Sequence, residues 1–202
     1  PAGRGSARAP PLGPGPLPPV CIASKRARHS DILRRLYVMR FGESGISAPI
    51  MSAPESPRVL VGVSGGIAAY KTPDLIRRLR REGVAVRVVM TAGAREFVTP
   101  LTFQAVSGEP VHHDLLDPAA EAAMGHIELA RWADAIVVAP ATANTLARLA
   151  AGFADDLLGT VCLASRAPLA VAPAMNQAMW AHPSVLANVS TLRDRGVRIW
   201  GP

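Results

Sequence analysis

The sequence predicts an α/β fold, a doubly wound parallel sheet with helices on both faces, either Rossmann-like or flavodoxin-like. Short apolar runs recur from Arg58 onward, and stretches with helical spacing separate them. Each run is apolar along its whole length rather than alternating, which marks strands buried on both faces. Strands of that kind alternating with helices belong to a parallel sheet covered on both sides.

The elements follow in order. "RVLVGV" (Arg58 to Val63), rich in Val and bounded by turn residues, reads as the first strand. "SGGIAAYKTPDLIRRLRREG" is its helix, with Ile67, Leu75, Ile76 and Leu79 at helical spacing and Gly83 as the stop. "VAVRVVM" (Val84 to Met90) is the second strand. "TAGAREFVTPLTFQAVSG" predicts two short helices broken at Pro100, and a polar stretch then runs through Met124. His112 and His113 follow a strand-like "EPV" in that stretch and read as solvated loop residues. "AIVVAP" (Ala135 to Pro140) is the third strand, and "ATANTLARLAAG" starts its helix. "DDLLGTVCLAS" is a further helix, with Asp155 and Asp156 as acid at its N-terminus. "PLAVAP" (Pro168 to Pro173) is the fourth strand, a helix crosses Pro183 to Arg195 with His182 as turn or cap, and "VRIW" is the fifth strand.

A length of 202 residues fits one domain with an appendage. The formal charge of +7 is unevenly spread: residues 1–50 hold eight Lys/Arg and two Asp/Glu, a net +6, and residues 51–202 hold fourteen and thirteen, a net +1. The folded part is therefore nearly neutral, and a nucleic-acid partner is not expected. "PAGRGSARAPPLGPGPLPPV" lacks the apolar stretch of a secretory signal, and its Pro and Gly disfavour packed structure. The chain opens on Pro1, whereas Met51 stands just before the first strand. Residues 1–57 are expected to be a disordered, non-native leader with the natural start near Met51; a native disordered tail is the alternative. Cys21 and Cys162 make neither a disulfide framework nor a metal motif, which suits a cytoplasmic protein without a metal. No apolar run is long enough for a membrane helix.

In a parallel sheet the carboxyl ends of the strands open onto one edge. The residues expected there are Ser64-Gly65-Gly66, Thr91, Thr142-Ala143-Asn144-Thr145 and Ala174-Met175-Asn176. Glycines at a strand-to-helix turn let backbone N–H groups approach an anion at the helix N-terminus. "SGGIAAYK" is neither a Walker loop nor a full G-x-G-x-x-G. Four polar turns on one edge point instead to a mononucleotide such as FMN, with one turn for its phosphate and the others for ribityl and ring. Asn176 is either a helix cap or a working group. Met175 and Met179 flank it and read equally as core filler. His126, in "GHIELARWAD", is on spacing alone more readily structural than catalytic.

Taken together, "SGGIAAYK", "GHIELARWAD", "PATANT" and "PAMNQAMW" resemble the homo-oligomeric flavin-containing cysteine decarboxylases, from about Arg58 to Pro202. Within that family they look most like the decarboxylase half of the bifunctional flavoproteins of coenzyme A biosynthesis, which join it to a phosphopantothenate–cysteine ligase. The resemblance implies that His126 is an active-site base and that Asn176 contacts the substrate carboxylate. It places FMN contacts on Gly65, Gly66, Ile67, Thr91, Thr142, Ala143, Asn144, Thr145 and Ala174. It implies decarboxylation of 4′-phosphopantothenoylcysteine to 4′-phosphopantetheine in homotrimers, or in dodecamers built from them. Direct CO₂ loss from a cysteinyl carboxylate leaves a carbanion without an electron sink. Prior oxidation to a thioaldehyde lets CO₂ depart as from a β-keto acid, and the resulting enethiol is then reduced.

The family's substrate clamp and its proton-donating cysteine follow the "W-G-P" motif, with which this chain ends at Trp200-Gly201-Pro202. Residues 58–202 are accordingly expected to be the FMN-binding decarboxylase domain, truncated before the clamp and the ligase domain. Three alternatives share the scaffold: a peptidyl-cysteine decarboxylase of lantibiotic maturation, a flavin prenyltransferase, which "PAMN" disfavours, and a non-catalytic regulatory subunit that inhibits a phosphatase.

Overall fold

The computed structural model describes residues 56–115 and 125–201. The expected leader with its start near Met51, Cys21, and the end of the polar stretch at Met124 lie outside them. The first half runs β1 (Arg58–Val63), a 3-10 helix (Ile67–Lys71), α1 (Thr72–Arg81), β2 (Ala85–Met90), α2 (Ala92–Arg95), α3 (Pro100–Ser107) and β3 (Val111–His112). The second half runs α4 (Gly125–Trp132), β4 (Ala135–Ala141), α5 (Ala143–Ala151), α6 (Leu157–Ala164), β5 (Leu169–Pro173), α7 (Gln177–Trp180), α8 (Pro183–Asp194) and β6 (Arg198–Ile199).

All six strands are parallel, in the order β3-β2-β1-β4-β5-β6. This is the doubly wound arrangement expected from the apolar runs. β1 lies at the centre, with Val59 opposite Val86 of β2 on one side and Ala135 of β4 on the other. Its side chains alternate between two cores. Val59, Val61 and Val63 pack with Ile76 and Leu79 of α1 and Phe103 of α3. Leu60 packs on the opposite face with Leu129 of α4, Leu146 of α5, Leu158 of α6 and Val185 of α8.

Two expectations are corrected. The sheet has six strands rather than five, because Val111–His112 pairs in parallel with Val88 and Val89 at the edge. His112 is thus a strand residue, in a two-residue segment too short to show a period. The helix expected from Ile67 is instead a 3-10 turn followed by an α-helix that begins at Thr72, with Pro73 in its first turn. Proline supplies no N–H and fixes φ, so it favours that first-turn position and ends the α-helical ladder there. Ile67 consequently stands 74 % exposed, and the buried residue of the turn is Ala69.

Candidate functional site

The chain leaves β1 on one side of the sheet and β4 on the other, so a crevice opens between the carboxyl ends of these adjacent strands. A cavity of about 1000 Å³ occupies this edge. The turn after β1 contributes Gly65, Gly66 and Ile67, the turn after β2 contributes Thr91, and the start of α5 contributes Thr142, Ala143, Asn144 and Thr145. The turn after β5 adds Ala174, Met175 and Asn176.

Local chemistry explains these residue types. A Cβ on Gly65 would lie 2.6 Å from the carbonyl carbon of Gly93, so the turns after β1 and β2 touch only because position 65 has no side chain. Gly66 is different: its backbone is extended, and a Cβ there would meet only the Thr142 methyl, at 3.4 Å. Thr91 Oγ1 accepts from the Ala94 amide at 3.3 Å and caps α2. Thr142 Oγ1 accepts from the Thr145 amide at 3.3 Å and caps α5, a contact of about 1 kcal/mol. Within α5 the Ala143 and Asn144 amides occupy the first two helical positions, which have no intrahelical acceptor. Their donors and the helix dipole favour an anion at this end of the cavity.

Asn176 turns out to be a cap and a cavity residue together. Its Oδ1 accepts from the Ala178 amide at 2.8 Å at the start of α7, while the exposed side chain lines the cavity. With Oδ1 engaged, the Nδ2 donors are the part of the amide left for a ligand. Met175 and Met179 also line the cavity, and Met179 is 49 % exposed, so neither is simple core filler.

A further wall comes from residues that sequence reasoning did not assign to the site: Arg148, Asp155, Asp156, Leu158 and Gly159. The Arg148 guanidinium pairs with Asp155 and, at 3.0 Å, with Asp156. Asp156 Oδ1 caps α6 by accepting from the Gly159 amide at 2.7 Å. The turn is tight, since a Cβ on Gly159 would come within 2.5 Å of the Phe153 carbonyl oxygen. An acidic cap two helical turns after an arginine was the available sequence signal. Cys162 sits behind this wall on α6. Burial, with the nearby Asp156 charge adding, pushes its thiol up to about 12.

His126 is half-buried in the first turn of α4 and is not among the residues lining the cavity. Only Ala133 and Asp134 separate α4 from β4, so the helix runs back along the sheet with His126 toward the carboxyl edge. The Arg87 guanidinium of β2 seats this helix, pairing with Glu128 at 3.2 Å and lying 4.7 Å from the Trp132 ring centroid. His182 caps α8 through Nδ1, as expected for a residue before proline. Among the described residues no cluster of three His, Cys, Asp or Glu is placed to hold a metal. No described helix is long and apolar enough to cross a membrane.

A six-stranded parallel sheet with a glycine- and threonine-lined cavity at its strand-order reversal defines a nucleotide-binding type of α/β protein. A profile of the Flavoprotein family matches residues 50–202, and the chain belongs to that family. The coenzyme A biosynthesis bifunctional protein CoaBC of Escherichia coli (strain K12) is 61 % identical over 145 residues, covering 72 % of this chain and 36 % of that protein. The chain thus spans about a third of the length of the curated relatives it matches. Among solved structures, the FMN-dependent cysteine decarboxylase SpaF superposes with a TM-score of 0.67 at 42 % identity, covering 73 % of this chain and 85 % of that one. A PPC decarboxylase mutant complexed with pantothenoylaminoethenethiol gives 0.63 at 35 % identity, covering 73 % and 82 %.

Proposed function

We propose that residues 58–202 form an FMN-dependent decarboxylase unit that converts 4′-phosphopantothenoylcysteine to 4′-phosphopantetheine in cytoplasmic coenzyme A biosynthesis. The observation that carries this reading is the 61 % identity to CoaBC over the region that builds the cavity. The lining fits FMN. The amide donors at the start of α5 and the open face of Gly66 suit a phosphate, and hydroxyls and small residues suit the ribityl chain and ring. When bound, FMN supplies reversible two-electron chemistry.

The chain's own residues do the rest. Nδ2 of Asn176 donates to the substrate carboxylate and fixes which bond to carbon is aligned for cleavage. Ile67, Met175, Met179 and Leu158 present apolar surface that excludes water from the reacting end. His126 is assigned the general base on the family resemblance of "GHIELARWAD", since it stands outside the lining of the single chain's cavity. We also propose a homotrimeric assembly. The exposure of Ile67, Tyr70, Phe97 and Leu101 on the single chain supports a self-associating surface.

The test is anaerobic titration of the FMN-loaded chain with 4′-phosphopantothenoylcysteine, following the flavin absorbance band and CO₂. Bleaching with CO₂ release is the expected result. Bleaching only with a peptide ending in cysteine would transfer the reading to the peptidyl class. Bound flavin that neither substrate reduces would favour a non-catalytic binding subunit.

A further inference from the structure

We propose that Ser64 is a positioning residue: its buried hydroxyl fixes the start of α5 against β1 and so sets the phosphate end of the cavity, without itself binding the ligand. The proposal rests on the reading of the cavity as an FMN site. It starts from an irregularity in β4. Val138 pairs with Val171 of β5 and Ala141 with Pro173, so Ala139 and Pro140 together face the single residue Ala172. Such a bulge disrupts the ladder locally, and buried carbonyls there need other donors. Pairing with β1 ends at Val138 as well.

Two hydroxyls supply donors there, the one at Pro140 beside the Ser64 backbone amide, which reaches the same carbonyl at 3.3 Å. Thr72 Oγ1 donates to the Ala139 carbonyl at 2.8 Å, and Ser64 Oγ donates to the Pro140 carbonyl at 2.7 Å. The two residues are 3 % and 1 % exposed. Ser64 then does something Thr72 does not: its Oγ accepts the Thr142 amide at 3.0 Å. Thr142 is the N-cap of α5, so this bond fixes where the Ala143 and Asn144 amides point. A serine hydroxyl has one proton, and here it goes to Pro140, which leaves no O–H to donate to a phosphate. The two residues therefore grip the same strand end with different consequences. Thr72 anchors β4, and Ser64 couples β4 and α5 to β1.

FMN and riboflavin differ by the phosphate alone, so their affinities separate the two roles. Dissociation constants for both are measured by fluorescence titration of the chain, Ser64→Ala and Thr72→Val. Ser64→Ala strands the Thr142 amide, while the Pro140 carbonyl keeps the Ser64 backbone N–H, and FMN affinity is expected to fall on the order of tenfold or more while riboflavin stays within about twofold. Thr72→Val is expected to lower the melting temperature and leave the ratio of the two affinities unchanged. In flavin-free protein, hydrogen exchange of the Thr142 amide should rise at least about tenfold in Ser64→Ala. Ser64→Cys, which keeps the volume with a weaker donor, gives the same exchange readout if the alanine variant does not fold.

Equal weakening of both flavins, or unchanged Thr142 exchange, overturns the proposal. A wild-type chain that binds neither flavin overturns the FMN reading and Ser64's role toward phosphate with it.

Discussion

At Asn176 one amide is divided between two tasks, with Oδ1 on the α7 cap and Nδ2 left for the cavity. Asn176→Asp separates them. Aspartate caps a helix as well as asparagine does, but it replaces donors with a charge that repels a carboxylate. The variant is expected to keep its melting temperature and its FMN while losing substrate-driven flavin bleaching and CO₂ release, as read by scanning calorimetry, flavin absorbance and CO₂ assay. His126→Asn is expected to retain flavin and slow that bleaching on the order of 100-fold, the range for a proton-transfer group. A variant that loses flavin instead would make the residue structural. Cys162 gives a pH prediction. Its thiol is raised in the folded state from 9.0 to about 12 by burial and then by Asp156. Below pH 9 both states hold the proton and the thiol has no effect. Above it the unfolded state ionises first, so stability falls as pH rises toward 12, by up to about 1.4 kcal/mol per pH unit. Urea unfolding at pH 8 and pH 10 should show this loss, and Cys162→Ala should reduce it.

Among the elements, the turn after β1 places two glycines in different surroundings. The missing Cβ of Gly65 would strike the Gly93 backbone, which cannot swing aside, so Gly65→Ala is expected to cost about 1–3 kcal/mol in denaturant unfolding. Gly66 has room, and Gly66→Asp should fold normally yet purify colourless, because it sets a carboxylate at the end of the cavity proposed for the phosphate. The strands were legible in the sequence because burial on both faces makes them unbroken apolar runs, "AIVVAP" above all. Their carboxyl-end turns followed from parallel geometry, which is why Gly65, Thr91, Thr142 and Ala174 were foreseen as neighbours. β3 was legible only as the strand-like "EPV" that ends at Val111, because two half-buried residues at a sheet edge carry no period. Ile67 misled because its spacing from Leu75 and Leu79 suits a helix, while Pro73 starts that helix later. Arg148 and Asp155 were missed because they reach the cavity from helix α5 and the α6 turn, not from a strand end.

For the whole molecule, every described element lies between Arg58 and Ile199, and the family match starts at residue 50. We propose residues 58–202 as the autonomous unit. Removing residues 1–50 should leave the thermal melt within a few degrees and flavin binding unchanged; a larger shift would assign the leader a part in the fold. The strand order has a consequence for the protein's birth on the ribosome. β1 is made first yet sits in the middle of the sheet, and one of its edges waits for β4, which begins at Ala135. At about 5–20 residues per second, the roughly 70 residues between them take about 4–14 s to synthesise. Within that interval, once β2 is complete at Met90, the β1–β2 pair presents Leu60, whose partners on α4, α5, α6 and α8 are not yet made, beside an open hydrogen-bonding edge. Slower decoding between the codons for Gly83 and Asp134 would lengthen this exposure. Expression yield of soluble chain should therefore fall with rare codons placed there, and recover when the same codons are moved beyond Ala141.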